Sequence, residues 1–330
     1  MTTATPPASG LRATDAQRAP AAPAAPAAST VYAPSEPVDV RATLGILGRG
    51  PYDPTTVWDA TGVWRTFRTP AGSATVRIRH PAADGSIAAA AWGDGAEWAI
   101  EAVPGLLGRG DDWGTLDVRG TPLLHDSRRR NPGLRLTRTG RLLEALIPAI
   151  IEQRVTSLEA YNSWARLIRW YGEGAPGPGP VELRVVPTVE QWRGIPSWEW
   201  HRAGVDPGRA RTVRSALAVA GSLERATDRA ETLTDAARAL RTVTGIGVWT
   251  AAETLQRSHA DSDAVSVGDY HLAHYVGEAL IGRRVDDDGM LELLEPWRGQ
   301  RQRVIRLILA SGHRFQRRGP RLAVQDHRWH

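Results

Sequence analysis

The hydrophobic pattern of this chain changes period once, and that change commits it to a mixed architecture. In the first third, apolar residues recur at every second position. Val38, Val40, Ala42 and Leu44 alternate with Asp39, Arg41 and Thr43, the period of a strand. Ser73–His80 (SATVRIRH) sets Val76 and Ile78 opposite Arg77 and Arg79; PAADG then supplies a turn, and Ser86–Trp92 returns as a partner strand. Trp98–Val103 (WAIEAV) reads as a further strand. From about Gly140 the period is helical: Leu142, Leu143, Leu146, Ile147 and Ile150 form one stripe. Thr156 or Ser157 can cap a second helix carrying Leu158, Tyr161, Trp164, Leu167 and Ile168. Gly172–Pro180 (GEGAPGPGP) must be a loop. Further helices fit Arg209–Ala220, Thr234–Arg241, Val248–Arg257, Tyr270–Ile281 and Gln300–Ser311. No repeat of fixed length is present. The fold class expected is α+β: a small antiparallel sheet domain over residues 38–120, then an all-helical body over 121–315. An Ala/Pro-rich tail, 1–37, has too little apolar surface to offset its ordering entropy and is read as disordered; a basic tail closes the chain at 316–330.

Composition removes several function classes. The 330 residues contain no cysteine, which excludes disulfides, thiolate nucleophiles and Cys-ligated zinc or iron–sulfur clusters. No export signal or run of about 18 apolar residues is seen, so a cytoplasmic chain without a membrane partner is expected. All 41 basic residues are arginine, and the formal net charge is +5. Genome composition explains the bias, yet it has physical consequences. Arginine's planar fork grips phosphates bidentately, and a chain without lysine has no side-chain amine to form a Schiff base with a sugar aldehyde.

The most informative stretch is Thr234–Asp269. A short helix (TDAARALR) leads into Val243–Ala251 (VTGIGVWTA), and the chain re-enters a helix. Gly245 and Gly247 flank Ile246 in a tight hairpin, where glycine permits positive φ and lets a phosphate come close to the backbone. Free N–H groups at the start of the second helix favour an anion, and two helices so joined make a sequence-independent clamp on a DNA backbone. An ordinary packing corner between helices fits the same residues. Eighteen residues beyond Ala251, in Val265–Leu272 (VSVGDYHL), Asp269 follows Gly268 at the entrance to another helix.

Four blocks in this order, Asn131–Leu136 (NPGLRL), Leu146–Val155 (LIPAIIEQRV), the hairpin with GDYHL, and Pro296–Arg298 (PWR), resemble the DNA-3-methyladenine glycosylase II family of the helix–hairpin–helix DNA glycosylase superfamily. The resemblance spans roughly Val38–His313. It implies a two-lobed helical core with the site in the cleft between lobes, the hairpin at 234–257 gripping double-stranded DNA with a damaged base, and hydrolysis of the bond between base and sugar. Asp269 matches the family's catalytic aspartate; a helix N-cap is its structural alternative, and both roles are compatible. Breaking an N-glycosidic bond creates an oxocarbenium-like sugar, which a neighbouring carboxylate stabilises.

Further roles follow from the same resemblance. Trp249 matches a tryptophan bordering the base pocket, where its face would receive a cationic alkylated purine; core packing is the alternative. Tyr270 and Trp164 are further pocket candidates. Where bifunctional relatives carry an attacking lysine, this chain reads Val248-Trp249-Thr250, which implies a monofunctional enzyme. Gly245, Ile246, Gly247 and Thr250 of the hairpin are DNA-binding candidates, as are Gln153, Arg154 and Arg298. The residue after the block's glutamine is an apolar wedge in the family. Here it is Arg154, which can stack into the gap left by a rotated nucleotide or hold a phosphate. No organic cofactor is implied; the hairpin backbone at 242–247 can hold a monovalent, sodium-like cation. The chain is expected to act as a monomer and to associate with the nucleoid.

Other patterns are weaker. Arg301, Arg303 and Arg306 read as a DNA-facing or merely solvated helix face, as does Arg128-Arg129-Arg130 beside NPGLRL. Asp261 and Asp263 read as solvated turn residues. His271, His274 and Glu278 share a helix face, but such spacing is common by chance and no metal is expected. Asp286-Asp287-Asp288 reads as a helix start favoured by the dipole. Ser311–Phe315 (SGHRF) stands where the family often has pocket aromatics, which leaves the substrate range open. A DNA-binding protein without turnover, a glycosylase for uracil or hypoxanthine, and a regulator using the sheet domain as a sensor are the rival readings.

Overall fold

The computed structural model describes residues 24–313. The expected C-terminal tail at 316–330 lies outside them, as does most of the expected N-terminal one. A five-stranded antiparallel sheet is built from β1 (Ala28–Tyr32), β2 (Thr56–Asp59), β3 (Gly62–Thr69), β4 (Gly72–Arg79) and β5 (Ile87–Trp92) in the order β1-β5-β4-β3-β2. The register pairs Val63 with Ile78, Phe67 with Ala74 and Ile78 with Ala89, so one face is continuously apolar. Helices α1 (Val40–Leu44) and α2 (Ala96–Leu106) cover that face with Val40, Leu44, Ala99, Val103 and Leu106. On β3 and β4 the Arg77 guanidinium lies 4.8 Å over the Trp64 ring.

Three local expectations are corrected here. Ala28–Tyr32, inside the segment read as disordered, is an edge strand that pairs with β5 along its whole length; ladder hydrogen bonds to a partner strand 55 to 63 residues away order a sequence too poor in apolar residues to order itself. Val38–Leu44 is not a strand. The Asp39 carboxylate accepts the Ala42 N–H and starts a helix, and Val40 and Leu44 are one turn apart as well as alternating. Trp98–Val103 lies within α2, whose buried residues Ala96, Ala99, Val103 and Leu106 follow the three–four spacing that a six-residue window conceals.

The helical body runs through α3 (Pro122–Arg130), α4 (Leu142–Ile151), α5 (Ser157–Tyr171), α6 (Val189–Gly194), α7 (Ser197–Ala203), α8 (Pro207–Ala218), α9 (Ala220–Asp228), α10 (Leu233–Leu240), α11 (Val248–Ser258), α12 (Leu272–Ile281), α13 (Asp287–Leu294) and α14 (Arg301–Ala310). Capping boxes start α5 (Thr156 with Glu159) and α6 (Thr188 with Gln191). The Gly172–Pro180 loop carries one short pairing, β6 (Glu173–Gly174) with β7 (Arg184–Val185). The fold is therefore α+β, as expected from the period change.

Two helical cores position the site. One gathers α4, α5, α8, α10 and α11 around Leu146, Ile150, Trp200, Leu217 and Leu255; within it the Trp164, Trp192 and Trp200 rings stack in series. The other gathers α3 and α12–α14 around Leu124, Val276, Met290 and Leu307. The segment from His259 to His271 passes from the first core to the second. Asp263 ties it to α14 by accepting the Gly299 and Arg301 N–H groups and pairing with the Arg301 guanidinium. Asp261 is buried, and burial pushes its carboxyl above the usual range. These two aspartates hold the connection and are not solvated turn residues. No helix among the described residues is long and apolar enough to cross a membrane.

Candidate active site

The hairpin between α10 and α11 is fixed by packing. Gly245 has φ 92°, and a Cβ there would sit 2.2 Å from the Thr212 Oγ1 of α8, so only glycine fits in both conformation and space. Ile246 is buried in the first core. Gly247 precedes α11 in extended conformation, without a side-chain cap. The first α-type bond runs from the Ala251 N–H to the Gly247 carbonyl, which leaves the N–H groups at the start of α11 open to an anion.

Gln153 closes the hairpin from the end of α4. Its side-chain amide donates to the Gly245 carbonyl at 3.0 Å and to Thr250 Oγ1 at 2.8 Å. Thr250 is buried, so this pair joins α4 to the hairpin. Arg154, the next residue, is exposed and has φ 56°, a strained conformation for a side-chain-bearing residue. The carbonyls of Thr242, Thr244 and Ile246 accept no hydrogen bond among the described residues, and hard oxygen donors without a carboxylate fit a weakly held monovalent cation.

Asp269 sits half-buried in the turn before α12. One carboxylate oxygen, Oδ1, accepts the N–H groups of His271 and Leu272, each at 2.9 Å. The other, Oδ2, accepts the Trp249 indole N–H at 3.3 Å. The carboxylate thus holds the start of α12 and meets the first turn of α11. Trp249 is half-buried, with its edge on Asp269. Tyr270 is 74 % exposed and meets His271 edge to face.

Trp164 is placed elsewhere. It is buried, its indole N–H donates to Asp53, and its ring stacks on Trp192. It lines a cavity of about 100 Å³ with Leu143, Glu144, Ile147, Val189 and Trp192, which neither Asp269 nor any hairpin residue enters. Its spacing on α5 marked it as apolar-faced, and the core took it. Arg298 is exposed but held bidentately by Glu295 at 2.8 Å. The arginines of α14 have protein partners: Arg301 pairs with Asp263, Arg303 with Asp111, and the half-buried Arg306 donates to the Ala42 carbonyl. Burial and the nearby Arg257 charge bring the Arg306 guanidinium down to about 10. In the Arg128–Arg130 run, Arg128 lies 4.6 Å over Trp113 and Arg130 donates to the Ser311 carbonyl. His274 bonds the Val285 carbonyl and Glu278 pairs with Arg284; among the described residues no three His, Asp or Glu side chains gather as metal ligands.

The sequence reading missed a buried charge network beneath this turn. Glu253, one helical turn beyond Trp249, accepts the Ser266 hydroxyl and pairs with Arg257. Ser266 in turn accepts the Asp269 N–H through its carbonyl. Arg49 pairs with Glu152, the residue before Gln153, at 3.1 Å. Burial alone would raise the Glu253 carboxyl, but Arg257, the Ser266 hydroxyl and Arg49 outweigh it and hold it below the usual range. The i, i+4 spacing from Trp249 was the available signal.

No protein-family model and no curated protein matches this sequence. Solved structures do share its fold. The 3-methyladenine DNA-glycosylase of Archaeoglobus fulgidus superposes with a TM-score of 0.68 at 17% identity, covering 86% of this chain and 98% of that one. The 8-oxoguanine glycosylase/lyase of Clostridium acetobutylicum, in its apo-form, gives 0.67 at 12% identity over 88% and 98%. Its complex with double-stranded DNA containing cytosine opposite 8-oxoguanine gives 0.66 at 13% over 88% and 96%. The fold of this chain is the one these DNA glycosylases have.

Proposed function

We propose that this chain is a monofunctional DNA N-glycosylase, with Asp269 as its catalytic carboxylate and an alkylated, 3-methyladenine-like base as substrate. The observation that carries the reading is the convergence of Asp269 with Trp249 at 3.3 Å, directly beside a hairpin whose helix start has open N–H groups. In this reading the two helical cores are the two lobes, with the turn between them. The hairpin holds a phosphate, aided by any monovalent cation on its carbonyls, and Arg154 props the gap in the duplex. The C–N bond breaks with its electron pair going to the base, so a cationic base leaves neutral. The Asp269 carboxylate stabilises the sugar cation. Water's oxygen then bonds to the anomeric carbon and its proton passes to Asp269 or to solvent, leaving an abasic site. With no lysine in the chain, no strand cleavage through a lysine imine follows.

The partner is duplex DNA, and the chain would act as a monomer at the nucleoid in the cytoplasm. A second reading, a neutral base such as uracil or hypoxanthine, uses the same observation, since the Trp249 ring beside Asp269 can stack on a neutral base as well as on a cationic one. Mass spectrometry of bases released from alkylated, deaminated and oxidised duplexes distinguishes the two. Asp269→Asn should lower release by about 100- to 1,000-fold without weakening duplex binding; equal release by both proteins would remove Asp269 from the mechanism.

A further inference from the structure

The turn that carries Asp269 is held on its far side by a residue the mechanism does not use. The Gly268 N–H donates to Asp287 Oδ2 at 3.1 Å. Asp287 is the first residue of α13, nineteen positions along the chain, so the bond closes a ring: turn, α12, the α12–α13 connection, α13, and back to the turn. That ring is stiff. A Cβ on Gly277 of α12 would come within 2.5 Å of the Arg283 carbonyl, His274 bonds the Val285 carbonyl at 2.9 Å, and Met290 of α13 is fully buried against α12. Gly268 itself is not held in this way, although Val267 and Leu272 on either side pack on the second core. Gly268 has φ 90°, and a Cβ there would touch nothing within 4 Å, so no packing fixes it.

Asp287 is also a poor choice for stability alone. Its second oxygen, Oδ1, is buried and accepts no hydrogen bond in the structure, which costs free energy for an ionisable group. The favourable charge at the start of α13 is supplied without it: Asp286 caps the helix on the Gly289 N–H, and Asp288 is exposed in the same turn. What Asp287 alone does is hold Gly268.

We propose that Asp287 is a positioning residue for Asp269: by holding the Gly268 N–H it fixes the angle at which the catalytic carboxylate leaves the turn. The proposal rests on the glycosylase reading. Removing the bond lets the turn rotate about Gly268, which tolerates a wide range of φ and ψ. The carboxylate then spends less time facing the sugar while the hairpin, anchored separately through Thr212 and Gln153, still grips DNA.

The test is single-turnover base release by wild type, Asp287→Ala, Asp287→Asn, Asp288→Ala and Asp269→Asn, with affinity for abasic-site duplex, melting temperature and Gly268 amide exchange measured on each. Asp287→Ala should slow release by about 10- to 100-fold, leave duplex affinity within about twofold and the melting temperature unlowered, and speed Gly268 exchange. Asp287→Asn, whose side-chain carbonyl still accepts the N–H, should recover most of the rate, and Asp288→Ala should match wild type. Release by Asp287→Ala at the wild-type rate while Asp269→Asn is inactive overturns the positioning role alone. Equal Gly268 exchange in wild type and Asp287→Ala overturns it whatever the substrate. Parallel losses of rate, affinity and melting temperature in both Asp287 variants reduce Asp287 to a structural residue. Wild-type release that Asp269→Asn does not diminish overturns the glycosylase reading itself.

Discussion

Two glycines with nearly the same φ frame the candidate site, and they are held in opposite ways. Gly245 in the hairpin has φ 92° and Gly268 before Asp269 has φ 90°. A Cβ would meet Thr212 at 2.2 Å in the first case and nothing within 4 Å in the second. The hairpin is a packed object, pressed on α8 and pinned by Gln153. The turn at Asp269 is a suspended one at Gly268, held there through hydrogen bonds to Asp287 and, by way of Ser266, to Glu253. In the proposed function, the part that grips a phosphate backbone gains from rigidity that depends on no charge. A part that must aim a carboxylate is adjusted by a few polar contacts, each of which can be removed singly.

The sharpest way to break this contrast is to put the same methyl group on both glycines. Gly245→Ala should cost about 3 kcal/mol, from left-handed strain plus overlap with Thr212, read as a fall in melting temperature together with lost duplex affinity. Gly268→Ala meets only the strain and should cost about 1 kcal/mol, with base release falling further than stability does. Thr212→Ala in the Gly245→Ala background should restore part of the first loss and none of the second. Equal destabilisation by the two substitutions would mean that packing does not distinguish the turns.

A smaller effect sharpens the hairpin side. Gln153→Ala removes both the bond to the Gly245 carbonyl and the bond to Thr250, a hydroxyl buried in the core. The expected cost is about 1–2 kcal/mol in stability, with duplex affinity reduced severalfold as the hairpin loosens from α4. Affinity that stays unchanged would show that Thr212 and Ile246 hold the hairpin by themselves, and that Gln153 serves the core.

Much of this was legible in the residues, and the misses have a common physical cause. Periodicity read over ten or more residues placed α4, α5, α8 and α11 correctly, and VTGIGVWTA and Asp269 marked the hairpin and the helix start that the structure shows, because glycine and a capping carboxylate leave local signatures. Short windows failed: Val40 and Leu44 satisfy strand alternation and helix spacing together, and Ala28–Tyr32 takes its order from a distant strand. Long-range polar pairing was illegible altogether. Nothing near Arg303 predicts Asp111, and nothing near Asp263 announces that it, and not DNA, occupies Arg301. With all 41 basic residues arginine, structural and DNA-facing arginines look alike until their partners are known. Trp164 shows the same limit for aromatics, since its side of α5 was apolar whichever neighbour it met.

The smallest effect tests the suspended turn through pH. Glu253 carries a negative charge held in place by Arg257, Ser266 and Arg49, and its carboxyl lies below the usual range. The stability contributed by ionised Glu253 is fully present above the ordinary glutamate value of about 4.3 and is lost as the pH falls through the lower value it has in the folded chain. Acidification across that window should therefore loosen the Ser266–Asp269 turn, read as faster amide exchange at Asp269, whose N–H bonds the Ser266 carbonyl. The hairpin has no comparable group, because its anchors are the Thr212 side chain and the Gln153 amide, and exchange at Ile246 should not change in step. Glu253→Gln keeps an acceptor for the Ser266 hydroxyl but cannot titrate, so it should flatten the acid response at Asp269 while leaving Ile246 as it was. An acid response of equal size at both amides, unaltered by Glu253→Gln, would place the pH sensitivity in the whole fold and erase the distinction between the two turns.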